Sequence, residues 1–248
     1  MRMIEPAAMA SMLLTIAMAT PAAAAPGVGD PVYGATVTKG LAEVEARYGR
    51  LTGGLANGGD GLVIEGEYGV SNRLSLAVLV ETGRTLGGPR QANAIAIEAV
   101  RTLGRIAPLA IDIALYVEVK HDLNDGPDAV EVKGLFEHAA GGFDARLNLI
   151  GVKPFRDEPV NFGYAASADW RVIGDEFRLG AAAFGDLGTS TRFGGRQEHF
   201  IGPIAKAGIE HIGPGEIEIE AGYLFAAGAA RDTARGQARL LISYEAKF

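Results

Sequence analysis

The residues of this chain that could do chemistry are charged side chains at alternate positions. Glu216, Glu218 and Glu220 follow one another at a spacing of two, as do Glu43, Glu45 and Arg47, and Glu65 and Glu67. Asp112 and Glu118, Lys206, and Arg239 near the end of the chain extend the pattern. In an extended chain a spacing of two puts side chains on one face, so each run is a strip of charge along a wall. Such strips can pair into salt-bridge ladders that hold strand register. They can also line a narrow polar conduit that favours cations or polar neutral solutes. Glu216, Glu218 and Glu220 form the densest negative strip and are expected between Lys206 and Arg239. Glu43 and Glu45 are expected across a closing seam from the last strand.

Other chemistry has little to work with. The chain has no cysteine, which removes thiol nucleophiles, disulfides and cysteine-ligated zinc. The histidines (His121, His138, His199 and His211) are scattered, no serine falls plainly beside one, and no Gly-x-Ser-x-Gly elbow occurs. Asp122, Asn124, Asp125, Gly126 and Asp128 have the residue types of a calcium loop, but Lys133 stands where its closing bidentate glutamate belongs. A polar Asp-Gly turn is the simpler reading. Gly87-Gly88 and Gly194-Gly195 lack the strand–loop–helix setting of a phosphate cradle. The sequence therefore implies no cofactor and no metal. A formal net charge of −7 without a basic patch argues against nucleic acid.

The elements that must position these charges are short strands. Between 109 and 120, Leu109, Ile111, Ile113, Leu115, Val117 and Val119 alternate with Asp112, Tyr116, Glu118 and Lys120, a clean period of two. Similar stretches fall near 38–50, 62–70, 74–82, 91–102, 129–138, 143–149, 160–172, 177–183, 200–211, 217–225 and 236–248, making about twelve strands in all. Gly- and Pro-bearing loops at 51–61, 83–90, 121–128, 153–159, 186–198 and 226–234 follow the odd strands, and turns of two to five residues follow the even ones. Residues 1–24 read as a secretory signal peptide with an apolar run from Ala7 to Thr20 and small residues before a cut after Ala24. That run is too short, and too soon ended by Pro21, for a membrane anchor. A glycine- and proline-marked lead, Pro26 to Gly34, precedes the first strand.

The last stretch places Leu240, Ile242, Tyr244, Ala246 and Phe248 on one face and Arg239, Ser243, Glu245 and Lys247 on the other. This resembles the terminal strand of Gram-negative outer-membrane β-barrels, in which a final Phe and alternate apolar residues, here including Tyr244, form the assembly signal. The resemblance implies an all-β fold, a closed antiparallel up-and-down transmembrane β-barrel of about twelve strands over residues 25–248. It also implies an outer-membrane location, with membrane lipids and the barrel-assembly machinery as partners. Strands of nine to twelve residues suit a tilted bilayer crossing, long loops alternating with short turns suit the two ends of such a barrel, and aromatics near strand ends resemble interfacial girdles. The expected function is a small passive channel for small polar or cationic solutes, without enzymatic activity. A closed structural barrel and an outer-membrane lipid-modifying enzyme are the alternatives. In this register Ile113 faces lipid at mid-bilayer and Asp112 faces the lumen.

Overall fold

The computed structural model describes residues 25–85, 87–174 and 176–248; the expected signal peptide lies outside them. Twelve strands run in chain order: β1 (Leu41–Thr52), β2 (Asp60–Ser71), β3 (Leu74–Arg84), β4 (Gln91–Ile106), β5 (Ile111–Asp122), β6 (Ala129–Ala140), β7 (Phe143–Pro154), β8 (Asn161–Ile173), β9 (Phe177–Thr189), β10 (Arg192–Ile212), β11 (Gly215–Gly228) and β12 (Gly236–Lys247). Each pairs antiparallel with its sequence neighbours, and β1 pairs with β12, so the sheet closes into a barrel. Closure leaves no sheet edge unpaired. The short turns, the start of β1 and the end of β12 gather at one rim, the turn end; the longer connections gather at the other, the loop end.

The alternation sorts residues between two walls. Outward-facing Val78, Ile97 and Val44 are each more than 60 % exposed, while Glu98, Glu118, Asp169 and Lys206 are buried. Apolar side chains outside and charges inside invert the soluble pattern, which suits a wall in contact with hydrocarbon. Aromatics cluster near the wall's two rims: Phe143 stacks on Trp170 at the turn end with centroids 4.3 Å apart. Phe162 meets Phe193 edge-on at 5.9 Å near the loop end.

Several elements differ from the sequence expectation. The loop expected at 186–198 is mostly strand, because β9 runs to Thr189 and β10 begins at Arg192. A register shift between Phe193 and Glu198 absorbs Gly194-Gly195 as a bulge in a protruding hairpin. β4 continues past Thr102 to Ile106 through a bulge at Leu103. Ile113 is on the outer wall, as its alternation requires, but it is the third residue of β5 counted from the turn end. Its depth is therefore near the rim; mid-wall is occupied by Ile97, whose register partners are Val78 and Val119.

Candidate functional site, an occupied lumen

Residues 25–40 form no strand. They descend inside the barrel from the loop end, turn at Gly40 and return as β1. Gly40 donates to Gly69 O at 2.8 Å and accepts from Phe248 N at 2.9 Å, which ties the turn to the seam.

An extended segment without a sheet partner must satisfy its backbone elsewhere, and here the barrel wall supplies polar side chains. Gln237 Nε2 donates to Pro26 O at 3.0 Å. Arg47 Nε donates to Gly29 O at 3.0 Å, and an Arg239 guanidinium N–H donates to Asp30 O at 2.9 Å. Asn148 clamps Tyr33 from both sides, accepting its N–H at 2.8 Å and donating to its carbonyl at 3.0 Å. Glu137 accepts from Ala35 N at 2.8 Å, and Thr102 Oγ1 donates to Ala35 O at 2.9 Å. Tyr33 lies against Tyr116 with ring centroids 4.8 Å apart, its hydroxyl donates to Glu98 at 3.2 Å, and Lys133 Nζ sits 4.5 Å from its ring centroid.

The wall also leaves room for the segment. Gly49 and Gly61 are register partners on β1 and β2, both facing inward, and Val28 occupies the space above them. A Cβ at Gly49 would lie 3.0 Å from Val28 Cα and 3.1 Å from Gly29 N; one at Gly61 would lie 3.0 Å from Val28 Cγ1. Gly49→Val is therefore expected to unseat residues 26–33 while the wall stays paired. Amide exchange in that stretch should accelerate by about tenfold or more, equivalent to about 1.4 kcal/mol of lost docking. Unchanged protection would contradict the docked geometry.

Around the segment the wall charges form ladders. Arg47 bridges Glu45 and Glu65, each at 2.6 Å. Lys120 bridges Glu81 at 2.5 Å and Glu118 at 3.3 Å, and Lys133 pairs with Glu131 at 2.8 Å. Arg178 and Lys206 share Asp169. Glu220 alone of its run lies between Lys206, at 3.7 Å, and Arg239, at 3.2 Å. Glu216 and Glu218 ion-pair with neither among the described residues, so the expectation for the whole run is corrected to one residue. The reason is register: Glu218 falls opposite Gly208 and Ser243, and Glu216 opposite Glu245. Glu43 lies opposite Glu245 and Glu67, and Glu45 opposite Ser243 and Glu65. Asp112 sits near the turn-end rim and pairs with Arg105 at 3.0 Å. Tyr244 donates its hydroxyl to Ile212 O at 3.1 Å, and Phe248 is exposed at the turn-end rim.

A cavity of about 290 Å³ lies in the turn-end half, bounded by Val32, Tyr33 and Val37 of the segment and by wall glutamates. Towards the loop end Phe184, Phe200 and Leu224 pack with Ala230 and Ala234, and Ala25 and Val32 pack against this cluster. The loop at 121–128 is self-satisfied. Asp122 Oδ1 accepts from Asn124 N and Gly126 N, each at 2.9 Å. The Asp122 N–H and His121 hold the Asp128 carboxyl below its usual range.

Sequence reasoning missed Tyr33 of the segment and Glu98, Thr102, Glu137, Asn148 and Gln237, the wall residues that seat it. The available signal was the pair of inward glycines, since an isolated glycine within a strand marks close approach of another backbone.

No protein-family model matches the chain, and no curated protein matches it. Solved structures do share its fold. An outer membrane channel from Pseudomonas putida F1 aligns with a TM-score of 0.59 at 11 % identity, covering 90 % of this chain and 99 % of that one. The KdgM porin in complex with disordered oligogalacturonate aligns at 0.51 and 10 % identity, covering 83 % and 99 %. At such identities the likeness establishes the closed twelve-stranded outer-membrane type of barrel and nothing finer.

Proposed function

We propose that this chain is an outer-membrane channel for small polar or cationic solutes, held closed by its own N-terminal segment. The observation that carries the reading is how the segment is held. Gln237, Arg239, Arg47, Asn148, Glu137 and Thr102 bind its backbone, where a permanently filled barrel would pair wall to wall. Sheets of eight strands are filled by their own side chains and those of sixteen or more leave an aqueous channel. Twelve strands here leave width for one extended chain, and a solute could take its place. The turn end faces the periplasm and the loop end the exterior, as in barrels with short periplasmic turns.

Cation preference follows from the wall. Oligogalacturonate, the ligand named for the KdgM porin, is a polyanion, whereas glutamates dominate the open cavity here. A second reading, a structural barrel that never conducts, is favoured by the buried apolar cluster at the loop end. Reversal-potential measurements on the whole chain in planar bilayers, beside outer-membrane fractionation, test the proposal. Cation-selective events whose selectivity weakens as salt screens the wall are expected. An anion-selective current, or a protein that fractionates with soluble periplasmic material, would refute it.

A further inference from the structure

At the turn end, register places four glutamates side by side on adjacent strands. Glu216 on β11 faces Glu245 on β12, Glu245 faces Glu43 on β1, and Glu43 faces Glu67 on β2. Like charges directly opposite one another destabilise a sheet, and neighbouring strands are only about 4.8 Å apart. A second acidic row shows how the fold handles this when it supplies its own countercharge. Glu98, Glu118 and Glu131 are also successive register partners. There Lys120 bridges Glu118 and Lys133 bridges Glu131, and Tyr116 donates to Glu98 at 2.6 Å.

The turn-end row has no such countercharge. Among the described residues none of its four carboxylates is ion-paired. Arg146 across the lumen is held by Glu137 at 3.3 Å and Asp144 at 3.0 Å. Lys247, next on that face of β12, sits exposed at the rim and pairs with none of them. Three of the four glutamates border the open lumen: Glu43, Glu67 and Glu245 line the cavity. A buried donor is turned into the same space. Ser75, 1 % exposed, lines the cavity; its Oγ stands beside Glu67 but meets hydrogen-bond geometry with no protein group.

We propose that this row is a binding site for an extended aliphatic oligoamine, entered from the turn end. The carboxylates are strung along a line about 14 Å long, three strand spacings, rather than gathered around a point. Among the described residues no three acidic or histidine side chains converge to hold a metal ion. Ammonium groups on a flexible chain can meet successive carboxylates, and Ser75 Oγ adds a neutral contact beside Glu67. The proposal deepens the cation-preferring reading, yet it does not depend on conductance, because the cavity lies beside the turn-end stretch of the seated segment and the row borders it whether or not the segment moves.

The test is calorimetric titration of the whole chain in detergent at neutral pH and low ionic strength, with spermidine as probe and magnesium as the compact control. Spermidine is expected to bind the wild type more tightly than magnesium does. The Glu43→Gln/Glu245→Gln double variant should weaken spermidine binding by about tenfold or more, about 1.4 kcal/mol. That variant removes like-charge repulsion, so it should still fold, which a heat-shift gel verifies. Equal binding of spermidine and magnesium would mark the row as a screening surface only and overturn the proposal. No spermidine binding, or binding unchanged in the folded double variant, would overturn it as well. A conducting barrel that fails this titration refutes the site alone; a silent barrel that passes it refutes only the channel.

Discussion

Deleting residues 26–37 should turn a nearly silent barrel into a steadily conducting one. The deletion removes the backbone that Gln237, Arg239, Arg47, Asn148, Glu137 and Thr102 bind. It also removes the Tyr33 ring from the lumen and Ala35 from the apolar cluster around Tyr116 and Leu135. None of the strand pairings that close the barrel involves these residues, so the wall should remain assembled and heat-modifiable. The freed side chains gain water in place of the segment, which keeps the cost of uncovering them well below that of stranding a charge in a dry core. Single-channel recording should give sustained cation-selective current in the deletion against rare brief events in the whole chain. A folded deletion variant that stays silent would favour the structural barrel.

The second large effect concerns the outer wall. Ile97→Arg should destabilise the protein in lipid by about 2–4 kcal/mol, the cost of a lipid-facing arginine near the bilayer midplane. Ile97 is 64 % exposed, with Val78 and Val119 beside it, so little protein covers it. If that wall met water, an exposed arginine would change stability by no more than about 0.5 kcal/mol. Ile113→Arg, near the turn-end rim, should cost less than Ile97→Arg, because the penalty falls towards the interface. Leu55→Arg in the first loop should be neutral. Urea unfolding from vesicles reads all three; a neutral Ile97→Arg would remove the lipid from the account.

The strands were legible because their chemistry is local. Leu109 to Lys120 alternates, and the last strand does so up to Phe248 apart from Leu241, so face and approximate span follow from the period alone. The protruding β9–β10 hairpin was not legible, since Gly194-Gly195 reads as a loop and becomes a bulge only because Thr189 and Arg192 pair. The acidic row was half legible. Period two puts Glu43, Glu67, Glu216 and Glu245 on inner faces, but only the register of a closed sheet decides that they adjoin. The same register gives Glu220 its two bases and, among the described residues, leaves Glu216 and Glu218 without one. The segment in the lumen was not legible from its own residues. Val28, Tyr33 and Ala35 show no period, and the wall partners of the segment lie from 18, for Gly29, to more than 200 positions away, for Pro26, along the chain.

The most direct measurement uses the absence of native cysteine. Val28 Cγ1 lies 3.0 Å from where a Cβ at Gly61 would stand, about the separation of a sulfur from its partner's Cβ across a disulfide. Val28→Cys/Gly61→Cys should therefore lock the segment to β2 on oxidation. In planar bilayers the oxidised form is expected to show no openings, and reduction in the same chamber should release cation-selective events. Currents that are the same before and after reduction would contradict the central claim that the segment gates the lumen.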